Sequence, residues 1–281
     1  MTVERKREAV IFLKTKELSE RRSCQLILLA RSTCQYRIKR KPDAEFEKQI
    51  KELAFATPRY GYRRVHALLK RGGQKVNRKR VVRVWQKFDL QVPRSKKTKK
   101  RVHKPQPLMP TATRPNEVRT YDFVFDTDAA VRRLKPLTMM DEFTREGLAI
   151  RVGRSFAANQ GKEVLRAVGQ RRGFSQFLRS DNGSEFVAGI IKEFLAESNV
   201  KAAYIEPNSP WQNGKGESFN RKFRDECLRM EIYGNFREAA VIAEKWRKSY
   251  NRERPHSSLN YQTPIEFKRD WEKRQRLLKG E

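Results

Sequence analysis

Cysteine is scarce in this chain. Cys24, Cys34 and Cys227 make an odd count with no C-x-x-C pair, which argues against a secreted disulfide scaffold and a cysteine-based zinc site. Histidine is equally rare, at His66, His103 and His256. No apolar run approaches the roughly 20 residues of a membrane span, so no membrane partner is expected. The basic N-terminus is interrupted by Glu4, Glu8 and Glu17 and has no cleavable apolar region. The expectation is a soluble, cytoplasmic or nucleoid-associated bacterial protein. Acidic charge is the other shortage. Lys and Arg number 64 against 33 Asp and Glu, a net charge of +31. Residues 1–110 hold 32 basic and 9 acidic side chains, so the excess is concentrated there. Nucleic acid is the partner such a distribution implies. A merely solvated basic surface, or a ribosome-like RNA binder, is the plain alternative.

Two stretches stand out, LRSDNGSEF at 178–186 and NSPWQNGKGESFN at 208–220. In the first, an apolar run meets Asp181 and an Asn-Gly turn signal. In the second, a Gly- and Asn-rich loop runs into a helix start at Glu217. Thirty-five residues separate Asp181 from Glu217, and Asp122 lies upstream in the apolar run 121–125. Three carboxylates on separate elements can hold two Mg²⁺ ions about 3.5–4 Å apart for phosphoryl transfer. Taken singly, each acid reads as an ordinary turn or capping residue.

Along the chain, residues 4–16, 21–28 and 31–37 read as short helices, the second capped by Ser19. Residues 1–40 thus suggest a helix-turn-helix, with two packed helices lacking base contacts as the alternative. Residues 41–92 form a second basic helical segment. Its helices are 44–56, one from Thr57 and Pro58 that includes Arg63 and Arg64, and one from Asn77 that exposes Arg78, Lys79, Arg80 and Arg83. Residues 93–116 hold five of the twelve prolines together with Lys96, Lys97, Lys99 and Lys100, as a semi-extended basic linker. From 117 the pattern is mixed α/β. Strands are expected at 118–125, 134–140, 147–152, 175–180 and 200–205, with helices at 157–170 and 186–198. Helices at 217–230 and 236–251 follow, and 268–281 read as a charged, fraying tail.

SDNGSEF, the 35-residue gap, QNGKGESFN, PRYGYRR, VNRKRV and YNRERPHSSLNYQTPIEF occur in one order over nearly the whole chain. Together they resemble the DDE transposases of frameshifting bacterial insertion sequences, specifically the second-reading-frame (OrfB-type) catalytic protein with its retroviral-integrase-like core. The resemblance implies a ribonuclease-H-like core over 117–267, preceded by basic helix-turn-helix-like segments. It implies Asp122, Asp181 and Glu217 as catalytic metal ligands, two Mg²⁺ ions with Mn²⁺ able to substitute, and Arg224 near the scissile phosphate. It implies double-stranded DNA as substrate, a multimer on that DNA, and an upstream-frame helix-turn-helix partner. Asp126, Asp128 and Asp141 rival Asp122, which is preferred because the D-F-V-x-D pattern begins there. The chain departs from the family at Leu28, where relatives carry glycine, and at Arg119, where they carry tryptophan. The alternatives are a structure-selective nuclease acting on RNA–DNA hybrids and a non-catalytic DNA-binding regulator or decayed copy.

Overall fold

The computed structural model describes residues 1–36, 43–92, 110–206 and 209–279. They fall into two compact units, 1–49 and 50–281. In the first, α1 (Val3–Thr15) starts where the Thr2 hydroxyl accepts from the Arg5 amide at 3.4 Å. α2 (Glu20–Leu26) starts at Ser19, whose Oγ accepts from the Arg22 amide at 3.3 Å. α3 (Arg31–Gln35) ends before Tyr36, and Arg37 lies outside the described residues. Val10, Cys24 and Leu29 are buried together, with Ile27 and Cys34 packed against them. The Arg7 guanidinium donates to the carbonyls of Thr33 at 2.6 Å and Tyr36 at 3.1 Å, which fastens α1 to the end of α3.

α2 stops two residues earlier than its apolar pattern suggests because Leu28 is left-handed, at φ +53°. The Leu29 amide then closes the turn on the Cys24 carbonyl at 2.9 Å. A Cβ in this region crowds its own carbonyl, at a cost of roughly 1–2 kcal/mol that glycine avoids. The Leu28 side chain is 84% exposed, so packing does not offset that cost.

The second unit opens with the end of α4 (Ala44–Ala56). Thr57 closes this helix and does not start the next one: its hydroxyl donates to the Leu53 carbonyl at 2.6 Å. Pro58 has no amide hydrogen and stops propagation. α5 (Tyr62–Arg71) therefore starts at Gly61. α6 (Arg78–Lys87) is capped by Asn77, whose Oδ1 accepts from the Lys79 amide at 2.8 Å. Val65, Leu69, Val81, Val84 and Trp85 are the buried side of this pair.

The sheet comprises β1 (Val118–Phe123), β2 (Asp126–Thr127), β3 (Arg133–Asp141), β4 (Gly147–Gly153), β5 (Phe177–Ser180) and β6 (Lys201–Tyr204). β1 lies between β3, antiparallel to it, and β5, parallel to it; β4 pairs antiparallel with β3 and β6 parallel with β5. α7 (Ala158–Arg172), with α8 (Ser184–Val187) and α9 (Gly189–Glu197), supplies the crossovers that parallel strands need. Alternation along β3 feeds two cores. Leu137 and Met139 join Val164, Val168 and Ile191 of the helices α7 and α9. Leu134 and Met140 join residues of α10 (Gly214–Glu226) and α11 (Phe236–Arg252). This is the mixed α/β, ribonuclease-H-like arrangement expected.

Arg119 is absorbed by polar neighbours. It is 1% exposed, and its Nη2 donates to Asn116 Oδ1 at 2.7 Å. Burial lowers its pKa to about 10, against the pull of nearby Asp141 and Glu146. At the other end of the chain, α12 (Pro264–Lys279) takes in most of the segment expected to fray. Its Phe267 and Trp271 rings pack on Phe143, at centroid distances of 5.5 and 5.9 Å.

His256 is buried, with Nε2 3.3 Å from the Tyr250 carbonyl and its ring edge-on to Tyr250. That geometry suits a neutral imidazole carrying its proton on Nε2. Burial, then the Arg254 charge, pull its pKa down to about 2.

Leu28→Gly should stabilise the first unit by about 1 kcal/mol, read as roughly fivefold slower hydrogen exchange of the α2 amides. Unchanged or faster exchange would contradict the strain. Below pH 6.5 the unfolded chain protonates His256 and the folded chain does not, so stability falls with acidification. Between pH 7 and 5 this group should remove about 2 kcal/mol, and His256→Gln should flatten the urea-midpoint slope by that amount. Parallel slopes for the two proteins would refute it.

Candidate active site

Strand register brings two of the candidate acids together. Val118 pairs with Phe177 and Thr120 with Arg179. Asp122 lies two residues beyond Thr120, and Asp181 two beyond Arg179. Continued that far, the register carries both acids to one end of the sheet, level and on one face. Asp181 Oδ1 accepts from the Gly183 amide at 3.0 Å, so the Asn-Gly turn fixes the carboxylate where the strand ends. Asn182 donates to the Ile205 carbonyl at 2.8 Å and holds that turn to the end of β6.

Glu217 arrives on the first turn of α10, which starts at Gly214, three residues earlier than the sequence suggests. Gly216 allows α10 to lie close over β1. A Cβ there would stand 2.4 Å from the Thr120 methyl and 2.4 Å from Asn213 Oδ1. One helical turn past Glu217, Asn220 donates from Nδ2 to Asp122 Oδ2 at 2.8 Å. The Thr138 hydroxyl donates to Asn220 Oδ1 at 2.8 Å, which sets the amide's orientation. Asp122 Oδ1 accepts from the Phe123 amide at 2.7 Å. Asn220 therefore ties the strand carrying one acid to the helix carrying another. Only its i+3 spacing from Glu217 marks Asn220 in the sequence.

The electrostatics agree with this convergence. Burial first, then the neighbouring Asp181, push the Asp122 carboxyl up to about 6, with Glu217 adding in the same direction. The hydrogen bonds from Phe123 and Asn220 oppose the rise. Converging carboxylates of this kind offer hard oxygen donors of the type Mg²⁺ prefers. Among the described residues, however, no group of three acidic, histidine or cysteine side chains is close enough to hold an ion as it stands.

The rivals of Asp122 have other work. Asp126 lies on β2, and its Oδ1 accepts from the Thr127 amide at 2.9 Å. Asp128 pairs with Arg132 at 3.0 Å and Arg154 at 2.7 Å. Asp141 accepts from the amides of Asn116, Phe143 and Thr144.

A cavity of 640 Å³ is lined by Asp122 and Glu217 together with Arg64, Arg221, Lys222 and Arg224, among others. Arg224 is exposed there. Arg64 is half-buried and stands 3.6 Å from Glu226. Arg63, Arg78, Lys79, Arg80 and Arg83 are exposed on α5 and α6, apart from the acids. Lys96, Lys97, Lys99 and Lys100 lie outside the described residues.

Two integrase-core family models and one HTH-like model match this chain. Residues 112–210 and 198–264 each match a family model described as an integrase core domain, and residues 41–98 match an HTH-like domain. The chain is 38% identical over 254 residues to the insertion element IS407 uncharacterized 31.7 kDa protein of Burkholderia multivorans, covering 89% of this chain and 90% of that one. It is 30% identical over 229 residues to the transposase InsD for insertion element IS2A/D/F/H/I/K of Escherichia coli, covering 75% and 74%. Among solved structures, the HTLV-2 integrase catalytic core domain in complex with magnesium matches 56% of this chain and 99% of its own, at 13% identity and a TM-score of 0.44.

The neighbours assigned to Asp122 make a test of opposite signs. Asp181→Asn removes a like charge and should lower the pH at which Asp122 titrates. Asn220→Ala removes a donor to the carboxylate and should raise it. Carboxyl-carbon NMR titration of the metal-free protein reads both, and shifts in the same direction would rule out the arrangement.

Proposed function

The chain belongs to the integrase-core transposase family of bacterial insertion sequences, of the second-reading-frame type, and we propose that it cuts and joins DNA at the ends of such an element. The reaction is proposed in two parts. Water first opens the phosphodiester at an element end and frees a 3′-hydroxyl, and that hydroxyl then displaces a 3′-oxygen from a target phosphodiester. The observation that supports this reading is the parallel pairing of β1 with β5, whose register continued past Thr120 and Arg179 leads to Asp122 and Asp181, together with Asn220 joining Asp122 to the Glu217 helix.

Asp122, Asp181 and Glu217 are the residues that would hold a pair of Mg²⁺ ions. Bound there, such ions supply positive charge to the attacking and departing oxygens. The protein's own part is positional. Asn220 leaves Asp122 Oδ2 one defined orientation, and Thr138 keeps the Asn220 amide from flipping. Gly183 directs Asp181 from its backbone amide. Arg221 and Arg224, exposed beside the cavity, suit the phosphates flanking the cut. The basic surface of α6, and Lys96, Lys97, Lys99 and Lys100 of the linker, are proposed to hold the duplex by charge, with an affinity that falls as salt rises. Two ends must be held at once, so the working form is proposed to be a multimer assisted by the upstream-frame helix-turn-helix protein, in the bacterial cytoplasm or on the nucleoid.

A labelled element-end oligonucleotide tests this. Asp122→Ala, Asp181→Ala and Glu217→Ala should each lower cleavage and joining by about a hundredfold or more while end binding stays near wild type. Asp126→Ala should be milder. Mg²⁺ or Mn²⁺ should support the reaction, and Ca²⁺ should allow binding with little chemistry, because its coordination is longer and looser. Adding the upstream-frame product should raise paired-end joining. Full cleavage by Asp181→Ala or Glu217→Ala would remove the basis of the proposal. A wild-type chain that binds ends and never cuts them would mark it as a non-catalytic regulator.

A further inference from the structure

The second unit holds another cavity of comparable size, 650 Å³, apart from the acids. One wall is α5 and the first turn of α6, bearing Arg63, Lys70, Arg71, Arg78 and Lys79. The opposite wall is the 260–262 turn and the start of α12, bearing Asn260, Tyr261, Gln262 and Glu266. A bidentate pair latches the two walls together. The Arg71 guanidinium meets both carboxylate oxygens of Glu266, at 2.7 and 2.6 Å. Glu266 is itself held as the third residue of a capping box: it accepts from the Thr263 amide at 2.8 Å, and the Thr263 hydroxyl accepts from the Glu266 amide at 3.3 Å.

The cavity is strongly cationic. Five basic side chains face one carboxylate, and that carboxylate is already paired with Arg71. Arg63, Lys70, Arg78 and Lys79 make no ion pair among the described residues. The turn opposite is built rather than loose. Asn260 and Tyr261 are both left-handed, at φ +53° and +64°. The Tyr261 amide donates to the His256 carbonyl at 2.8 Å, and the His256 amide to the Gln262 carbonyl at 3.1 Å. For a tyrosine this conformation is uncommon, and it is held here by that small network around a buried histidine. It presents the phenol and the Asn260 amide at the rim of a basic cleft.

We propose that this cleft grips the phosphate–sugar backbone of duplex DNA, with the 260–262 turn as its second wall. The proposal rests on the reading of the chain as acting on element ends, and it adds a contact from the C-terminal part of the core. Cations on one wall suit phosphate oxygens, while a phenol and an amide on the other suit hydrogen bonds to phosphate and contact with sugar. Exposed Arg83 continues the positive surface along α6 beyond the cleft, which fits an extended polyanion better than a small one. Because the Arg71–Glu266 latch fixes the turn to the helix pair, DNA held there has one register relative to the core.

The strain in the turn supplies a gentle test. Glycine accepts left-handed backbone readily, so the double variant Asn260→Gly, Tyr261→Gly removes the second wall while suiting the turn's conformation. With the full-length chain and a short labelled element-end duplex, its affinity should fall on the order of tenfold with thermal stability retained. Arg63→Ala and Lys79→Ala should weaken binding similarly, each reducing the salt dependence by about one counterion. Unchanged affinity in the double variant, beside losses at Arg63 and Lys79, would overturn the second wall. Should that variant fail to fold, a photo-crosslinking benzoylphenylalanine at position 261 of the otherwise native chain should capture the duplex. No crosslink above that of an exposed control position would overturn it. Equal capture of a duplex RNA in competition would also overturn the assignment to DNA. A chain that binds through the cleft but never cuts would sink the transposase reading alone, and one that binds no duplex would sink both.

Discussion

The parallel pairing of β1 with β5 is the constraint on which the rest of the site depends. Side chains alternate along a strand, so a slip of one residue would turn Asp122 away from Asp181. Burial on both faces of the sheet prevents that slip. Tyr121 and Leu178 contribute to one core, and Val124 just past β1 contributes to the other. The hydrophobic pattern that fixes the register therefore also fixes the distance between two like charges. Burial, and after it the closeness of Asp181, raise the pKa of Asp122.

The third acid is fixed by charge at both ends of its helix. In the first turn of α10, Lys215 stands 3.4 Å from Glu142, a side chain with no solvent exposure that also pairs with Arg179 at 2.6 Å. The Thr120 hydroxyl donates to the same Glu142 at 3.0 Å, so β1 and α10 share one buried carboxylate. At the far end, the Arg254 guanidinium grips Glu226 with two hydrogen bonds, and Arg64 of α5 stands 3.6 Å from Glu226. Removing one partner of such a buried pair costs roughly 3–5 kcal/mol, because the other charge is then stranded. Whatever these pairs contribute to net stability, they leave α10 little freedom to rotate Glu217 away from the end of β1. Through Arg64 the same constraint extends to the helix pair that carries the basic cleft.

The elements with strong periodicity were legible from the sequence. Leu137 and Met139 alternate with Leu134 and Met140 in the order a two-faced strand requires, and Val164, Leu165 and Val168 mark the buried side of α7. Motif and spacing single out the three candidate acids, whose roles stand as proposals. What escaped was set by tertiary partners. Thr57 has a hydroxyl fit to open a helix, yet the Leu53 carbonyl captures it and the preceding proline-ended helix takes it. Arg119 reads as a misfit on a buried strand until Asn116, Asp141 and Glu146 are seen around it. Asn220 looks like any polar helix residue, because its partners on β1 and β3 are far away in the chain. Leu28 stands where relatives carry glycine, and its positive φ gives that departure a steric meaning. The 268–279 segment looked free to fray because Phe267 and Trp271 could not be matched to Phe143 by pattern alone.

A cluster of carboxylates is an awkward place to bring a phosphodiester, and α10 carries a remedy along its own length. Arg221 and Arg224 follow Glu217 by four and seven residues, spacings that return to the same helical face. With a rise of about 1.5 Å per residue they lie about 6 and 10 Å along the axis from the acid. The screening length at physiological salt is about 8 Å, so acid and cations are felt together by an approaching strand. Both arginines are exposed and line the cavity shared by Asp122 and Glu217. On the proposed reading, the acids therefore would not stand alone against the DNA. On that reading the helix that carries the third acid also supplies the positive charge that would let a polyanion approach, and the register of β1 and β5 sets where that approach would end.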